Sequence, residues 1–136
     1  MDKGKSLAVW RFEKALQCLK TAKINIEIGD YSGAANRSYY CIFHSMRSII
    51  GLKEFDFKKH SAVISYFRQN YIKAKIFDGK LSEIINILFD IRNESDYGDY
   101  FVINKQDIIE QVENAEYFML QIAGYLKGEG VVVNGV

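Results

Sequence analysis

No proline interrupts the chain anywhere in its 136 residues. Proline is the sharpest helix breaker, so its absence permits long continuous helices without requiring them. Cysteine is scarce: Cys18 and Cys41 both fall within apolar helical patterns. They read as buried free thiols in a reducing compartment. The opening residues Met1-Asp2-Lys3-Gly4-Lys5 lack the apolar run that export needs, and no stretch approaches the ~20 apolar residues of a membrane span. The expectation is a cytoplasmic protein with no membrane contact. No charge sign dominates either, with 18 basic against 17 acidic residues and a net charge of +1. A global basic field for coating nucleic acid is therefore excluded, although a local basic stripe is not. There is no glycine-rich phosphate loop, no HExxH pair and no CxxC. Two histidines and two cysteines scattered over three helices argue against a zinc site, so neither metal nor cofactor is expected.

What is present suits a helical core. Hydrophobic residues make up 49% and aromatics 14% of a length that fits one domain. Apolar periodicity predicts five helices. The first runs from Ser6 to Ile28 and stops at Gly29, where Asp30 is a candidate N-cap for the second. The second, Tyr31 to Ile50, carries the stripe Ala35, Tyr39, Ile42, Met46 and Ile49 and ends at Gly51. Leu52 to Lys59 reads as a loop with two anchoring aromatics, Phe55 and Phe57. The third helix runs from His60 to Tyr71. The fourth, Leu81 to Ile91, is apolar on more than one stripe, which marks it as central or as part of a subunit interface. The fifth, Lys105 to Lys127, has Asn104 as candidate N-cap and a coiled-coil-like seam. Together these predict an all-α, five-helix up-and-down bundle over residues 1–127, with 128–136 as a flexible C-terminal tail.

A second stripe lies on the second helix. Arg37, Tyr40, His44 and Arg47 recur at three, four and three residues and share a face. Two cations, an imidazole and a phenol together suit a phosphate and a stacked base. An ordinary solvated helix face would look the same. His60 follows Lys58-Lys59 and is a candidate proton carrier or simply a helix-end side chain.

The segment Arg92-Asn93-Glu94-Ser95-Asp96-Tyr97 is the sharpest feature. It sits where the fourth helix runs out, yet Arg92 follows Leu88 by four residues and so shares its apolar face. A guanidinium cannot be neutralised, and burying it alone is costly. It needs a partner: a carboxylate such as Asp90, Asp96 or Asp99, a helix end, a phosphate or a second subunit.

Three segments together resemble the HEPN-domain family: Ala34-Ala35-Asn36-Arg37-Ser38-Tyr39-Tyr40-Cys41-Ile42-Phe43-His44, Lys59-His60-Ser61, and Phe89 to Tyr97. The likeness extends from about Ala15 to Leu126. It implies an all-α bundle that dimerises side by side around a shared cleft. It also implies the toxin half of a toxin–antitoxin-like system, with a minimal nucleotidyltransferase as partner and RNA or a nucleotide as ligand. Active members are metal-independent RNases whose motif is an arginine, four to six residues, then a histidine. Arg92 and Asn93 match its start, but Tyr97 stands where a histidine is expected. Tyrosine, with a pKa near ~10, is a poor general base at neutral pH, whereas histidine near ~6.5 can both accept and donate.

The first reading is therefore a homodimeric nucleotide- or RNA-binding protein. Arg92 and Asn93 would contact phosphate, and Arg37, Tyr40, His44, Arg47 and Asp96 would line the cleft. The second is an RNase in which His60 or His44 replaces the missing histidine beside Arg92, Asn93 and Tyr97. The third is a helical interaction module in which Arg92 is a structural ion pair. Tyr97 and Tyr100 are also candidate acceptors for nucleotide transfer from the partner.

Overall fold

A computed structural model describes residues 2–136 and gives five α-helices and no strand among them. They are α1 (Lys3–Glu27), α2 (Tyr31–Gly51), α3 (His60–Phe67), α4 (Lys80–Tyr97) and α5 (Lys105–Gly128). The all-α up-and-down bundle is as expected. None of its helices is long and apolar enough to cross a membrane.

The helix starts are local chemistry. Asp2, Asp30 and Asn104 each accept a hydrogen bond from the backbone N–H three residues on, satisfying a donor that the helix itself cannot. Gly29, at φ +79°, turns the chain between α1 and α2, and the Asp30 N–H bonds back to the Asn25 carbonyl at 2.8 Å. At the other end of this pair the backbones come so close that a Cβ on Gly4 would strike the Leu52 carbonyl.

The central element is α2, which packs against all four other helices. Its expected stripe of Ala35, Tyr39, Ile42, Met46 and Ile49 is fully buried. Phe12 of α1, Phe67 of α3, Leu88 of α4 and Phe118 of α5 share one core with Tyr39, Ile42, Met46 and Ile49, while Ala35 packs with Ile108 in a second, smaller cluster. Of the two expectations for α4, a central place or a subunit interface, the central place belongs to α2; α4 buries Leu81, Ile84, Ile85 and Leu88 but leaves Ile87 40% exposed.

Four local expectations need correction. First, α4 does not stop at Ile91 but continues to Tyr97, because the polar residues after Ile91 find partners across the bundle. Second, α3 gives way at Arg68 to a π-helical turn through Ile72, closed by a 2.8 Å bond from the Lys73 N–H to the Arg68 carbonyl. Third, Phe57 packs against the core, whereas Phe55, 45% exposed, meets only the edge of the Tyr66 ring at 5.9 Å. The 52–59 loop is held instead by Arg11, a buried α1 residue that donates to the carbonyls of Arg47 and Phe55. Fourth, residues 128–136 are anchored at their start. Val131 is buried against the core, and its N–H donates to the Leu126 carbonyl at 2.8 Å.

Candidate functional site

The site forms where α2, α3 and α4 meet. Arg92 faces the core side of α4 and is only 9% exposed. Its guanidinium lies 4.6 Å from the ring centre of Tyr39, 5.7 Å from Phe89 and 5.8 Å from Tyr40. An aromatic cage of this kind stabilises a cation by ring electrostatics, at about 0.5–2 kcal/mol for each good contact. It cannot satisfy the N–H donors. The nearest carboxylate is Asp96, one helical turn on, at a long 3.7 Å, and Nε is buried without a hydrogen-bond acceptor. Of the three carboxylates expected as partners, Asp96 is the one that pairs with Arg92.

Asp96 is held from the other side by α2. Asn36 Nδ2 donates to both carboxylate oxygens, at 3.0 and 3.2 Å. The Asn36 carbonyl in turn accepts two bonds from Arg37, at 2.9 and 2.6 Å. Ser32 Oγ adds a donor to the Ser95 carbonyl at 3.3 Å. These contacts carry α4 past Ile91 in helical form, and Arg37 and Arg92 approach Asp96 through one connected network.

His60, the first residue of α3, stacks on Phe43 with ring centres 4.0 Å apart. Its Nδ1 lies 2.9 Å from the Tyr39 hydroxyl. Arg92 and His60 therefore share Tyr39, one through its ring and the other through its oxygen. Burial holds His60 below its usual pKa, and the charges of Arg92 and then Arg47 push it further down, so it is neutral near pH 7. Burial pushes Tyr39 up to about 12 despite the opposing charge of Arg92, so its hydroxyl stays protonated. In the tautomer in which Nδ1–H donates to the Tyr39 oxygen, the neutral imidazole keeps Nε2 free to accept a proton.

His44 stands further along α2, against Tyr40 with ring centres 6.1 Å apart and 3.4 Å from Arg47. Burial pushes it down to about 4, helped by the charges of Arg47, Lys14, Arg37 and His60. Arg47 is committed to Asp56 at 3.1 Å, which Arg11 also approaches at 3.6 Å. The expected stripe thus shares one face, with Arg37 lying over the Tyr40 ring at 5.0 Å.

The other expected residues fall differently. Asn93 follows Arg92 half-buried, with no side-chain hydrogen bond among the described residues. Tyr97 and Tyr100 are 76% and 93% exposed, and no hydrogen bond or ring contact among the described residues joins Tyr97 to Arg92, Tyr39 or His60. Nor do three potential metal ligands come together among the described residues. Sequence reasoning missed Tyr39 and Asn36. Tyr39 sits in an apolar stripe, and its hydroxyl, which must find a partner when buried, was the available signal. Asn36 offered none beyond its place next to Arg37.

The model of the HEPN domain matches residues 8–123, which includes every residue of this site. A Thermotoga maritima protein named "UPF0332 protein" is 28% identical over 118 residues, covering 87% of this chain and 89% of that protein. A Methanocaldococcus jannaschii protein named "Putative toxin MJ0142" is 28% identical over 120 residues, covering 88% and 82%. A second from that organism, "Putative toxin MJ0605", is 33% identical over 85 residues, covering 62% and 63%. With its helices, the Arg92 segment and the domain match in agreement, this chain belongs to the HEPN domain family.

Proposed function

We propose that this protein is a toxin-like HEPN protein that binds RNA through a backbone phosphate at Arg92. One observation carries the reading: Arg92 is caged by aromatics but short of acceptors, with a 3.7 Å carboxylate contact and an unpartnered Nε. A phosphate offers the oxygens that the cage lacks, and charge-assisted bonds to it are about twice as strong as neutral ones. Arg37, Tyr40, His44 and Arg47 extend the same face, and Asn93 adds an uncommitted amide. The names of the two Methanocaldococcus relatives support the toxin-like role.

The test is fluorescence anisotropy with labelled RNA in EDTA. Arg92→Ala is expected to weaken binding by roughly 10- to 100-fold, since a hydrogen bond to a charged group contributes about 1.5–3 kcal/mol. Equal affinity in that variant would remove Arg92 from the site.

A second reading is favoured by the Tyr39–His60 contact. Here His60 supplies the proton transfer that Tyr97 cannot, and the protein is a metal-independent RNase. RNA cleavage in EDTA that His60→Ala abolishes would establish this reading. Family resemblance adds a cytoplasmic homodimer and a minimal nucleotidyltransferase partner to either reading, open to light scattering and co-purification. Tyr97 and Tyr100 are exposed enough to accept a nucleotide from such a partner. Mass spectrometry after co-expression reads that transfer directly.

A further inference from the structure

The cationic face does not end at α2. It continues onto α1, which runs antiparallel beside it: Arg11 reaches the Arg47 carbonyl at 3.0 Å, and Cys18 lies 3.7 Å from Arg37. Between these two contacts the exposed side of α1 presents Lys14, close enough for its charge to act on His44. One turn back along α1 is Trp10, the only tryptophan in the chain. It is 62% exposed, with the Lys14 ammonium 5.7 Å from its ring centre.

Most aromatics near this face are already occupied. Tyr39 and Phe43 are buried, and Tyr40 has Arg37 over its ring. Trp10 is 62% exposed even with the Lys14 ammonium near its ring, and it stands at the rim of a shallow hollow lined by Glu13, Lys14 and Gln17. Glu13 is the one carboxylate lining that hollow, and Asp56 nearby is balanced by Arg11 and Arg47. From Tyr40, beside Arg92, to Arg47, opposite the Trp10 end of α1, the α2 axis rises about 10 Å. That is a span for a short stretch of polynucleotide, with cations along it and an aromatic at its far end.

We propose that Trp10 is a stacking platform for an unpaired base, and that the ligand of this face is single-stranded RNA. This rests on reading Arg92 as a phosphate-binding residue. Duplex RNA keeps its bases stacked on each other and cannot offer one to an indole, whereas a single strand can. The cations Lys14, Arg37 and Arg47 would follow the backbone between the two points, the combination that single-strand binding sites use.

The sole tryptophan makes the test direct. Full-length protein is titrated with a single-stranded oligoribonucleotide and with the same sequence as a duplex. Binding is followed by anisotropy of a label on the RNA and, separately, by tryptophan emission. The single strand is expected to quench Trp10 in step with the anisotropy rise, and the duplex to leave its emission unchanged. Trp10→Ala, at an exposed position, should keep the circular dichroism spectrum and bind the single strand roughly 5- to 100-fold more weakly. Binding with unaltered emission, or equal affinity in Trp10→Ala, overturns the stacking site and leaves the Arg92 reading intact. Equal quenching by the duplex overturns the single-strand preference. No binding of either RNA overturns both.

Discussion

The Tyr39 hydroxyl lies 2.9 Å from His60 Nδ1, and this contact ties the start of α3 to the helix that carries the cationic stripe. The same tyrosine lies under Arg92, so its ring faces a cation while its hydroxyl bonds a neutral imidazole. Tyr39→Phe keeps the ring and removes only the hydroxyl. It is expected to leave Arg92-dependent RNA binding within a few-fold and to lower any RNA cleavage, because His60 loses its orienting partner. His60→Ala is expected to lower that cleavage about 10²- to 10⁴-fold, the range for losing a general acid–base group. Rates in EDTA on both variants check this, and cleavage unaffected by either would remove His60 from the chemistry.

On the proposed reading, Asp96 competes with an incoming phosphate for the Arg92 guanidinium, which it approaches at 3.7 Å. Its carboxylate contacts Arg92 and is positioned by Asn36, so bound RNA must displace it or share the guanidinium with it. Asp96→Asn keeps the shape and removes the competing charge. RNA binding should tighten by up to about fivefold, since partly exposed ion pairs are worth ~0.2–1 kcal/mol. Weaker binding in this variant would make Asp96 a ligand-positioning group instead.

Stability should depend on pH through His44. Its folded pKa is pushed down to about 4, below the value it takes when unfolded, so the unfolded chain binds the proton more tightly. Stability is therefore fully present above about pH 6.5 and declines as pH falls towards 4. His60, shifted the same way, adds to the decline. Urea denaturation between those limits should show a falling midpoint, and His44→Gln should flatten part of the slope. A slope identical in the variant would mean that His44 is solvated in the folded state.

Val131 anchors the last residues of the chain although glycines surround it in sequence. It is 2% exposed, so Val131→Ala should cost about 1.5 kcal/mol, at ~0.8 kcal/mol for each buried methylene equivalent removed. Thermal melts would register this as a drop of several degrees. An unchanged melting temperature would mean that the segment is unanchored in solution.

The parts of the fold legible in sequence were those written locally. Asp30 and Asn104 act as the caps their residue types and positions suggested, and the Tyr39–Met46 stripe lies in the core as its spacing required. What could not be read depends on partners distant in sequence. Residues Arg92 to Asp96 look like a helix ending because they are polar, but Asn36 and Tyr39 supply their contacts from another helix. Phe55 and Phe57 do contact Tyr66 as loop aromatics, but much of the hold on the loop comes from Arg11, which reads as an ordinary cation on α1. In the candidate site the stripe Arg37 to Arg47 was legible from its period. Its junction with His60 was not, because His60 comes from another helix, meeting Tyr40 of the stripe edge-on at 5.7 Å and bonding Tyr39 of the apolar stripe.

The unbroken run of α4 to Tyr97 sets an angular phase for everything after Arg92. At 3.6 residues per turn, Asp96 returns to within about 40° of the Arg92 direction, while position 97 points about 140° away. A histidine installed at Tyr97 would therefore not rebuild an arginine–histidine pair within one chain. An imidazole that reaches Arg92 without displacing Asp96 must arrive from another element, and α3 brings His60 as far as the hydroxyl of Tyr39, the ring that lies under Arg92.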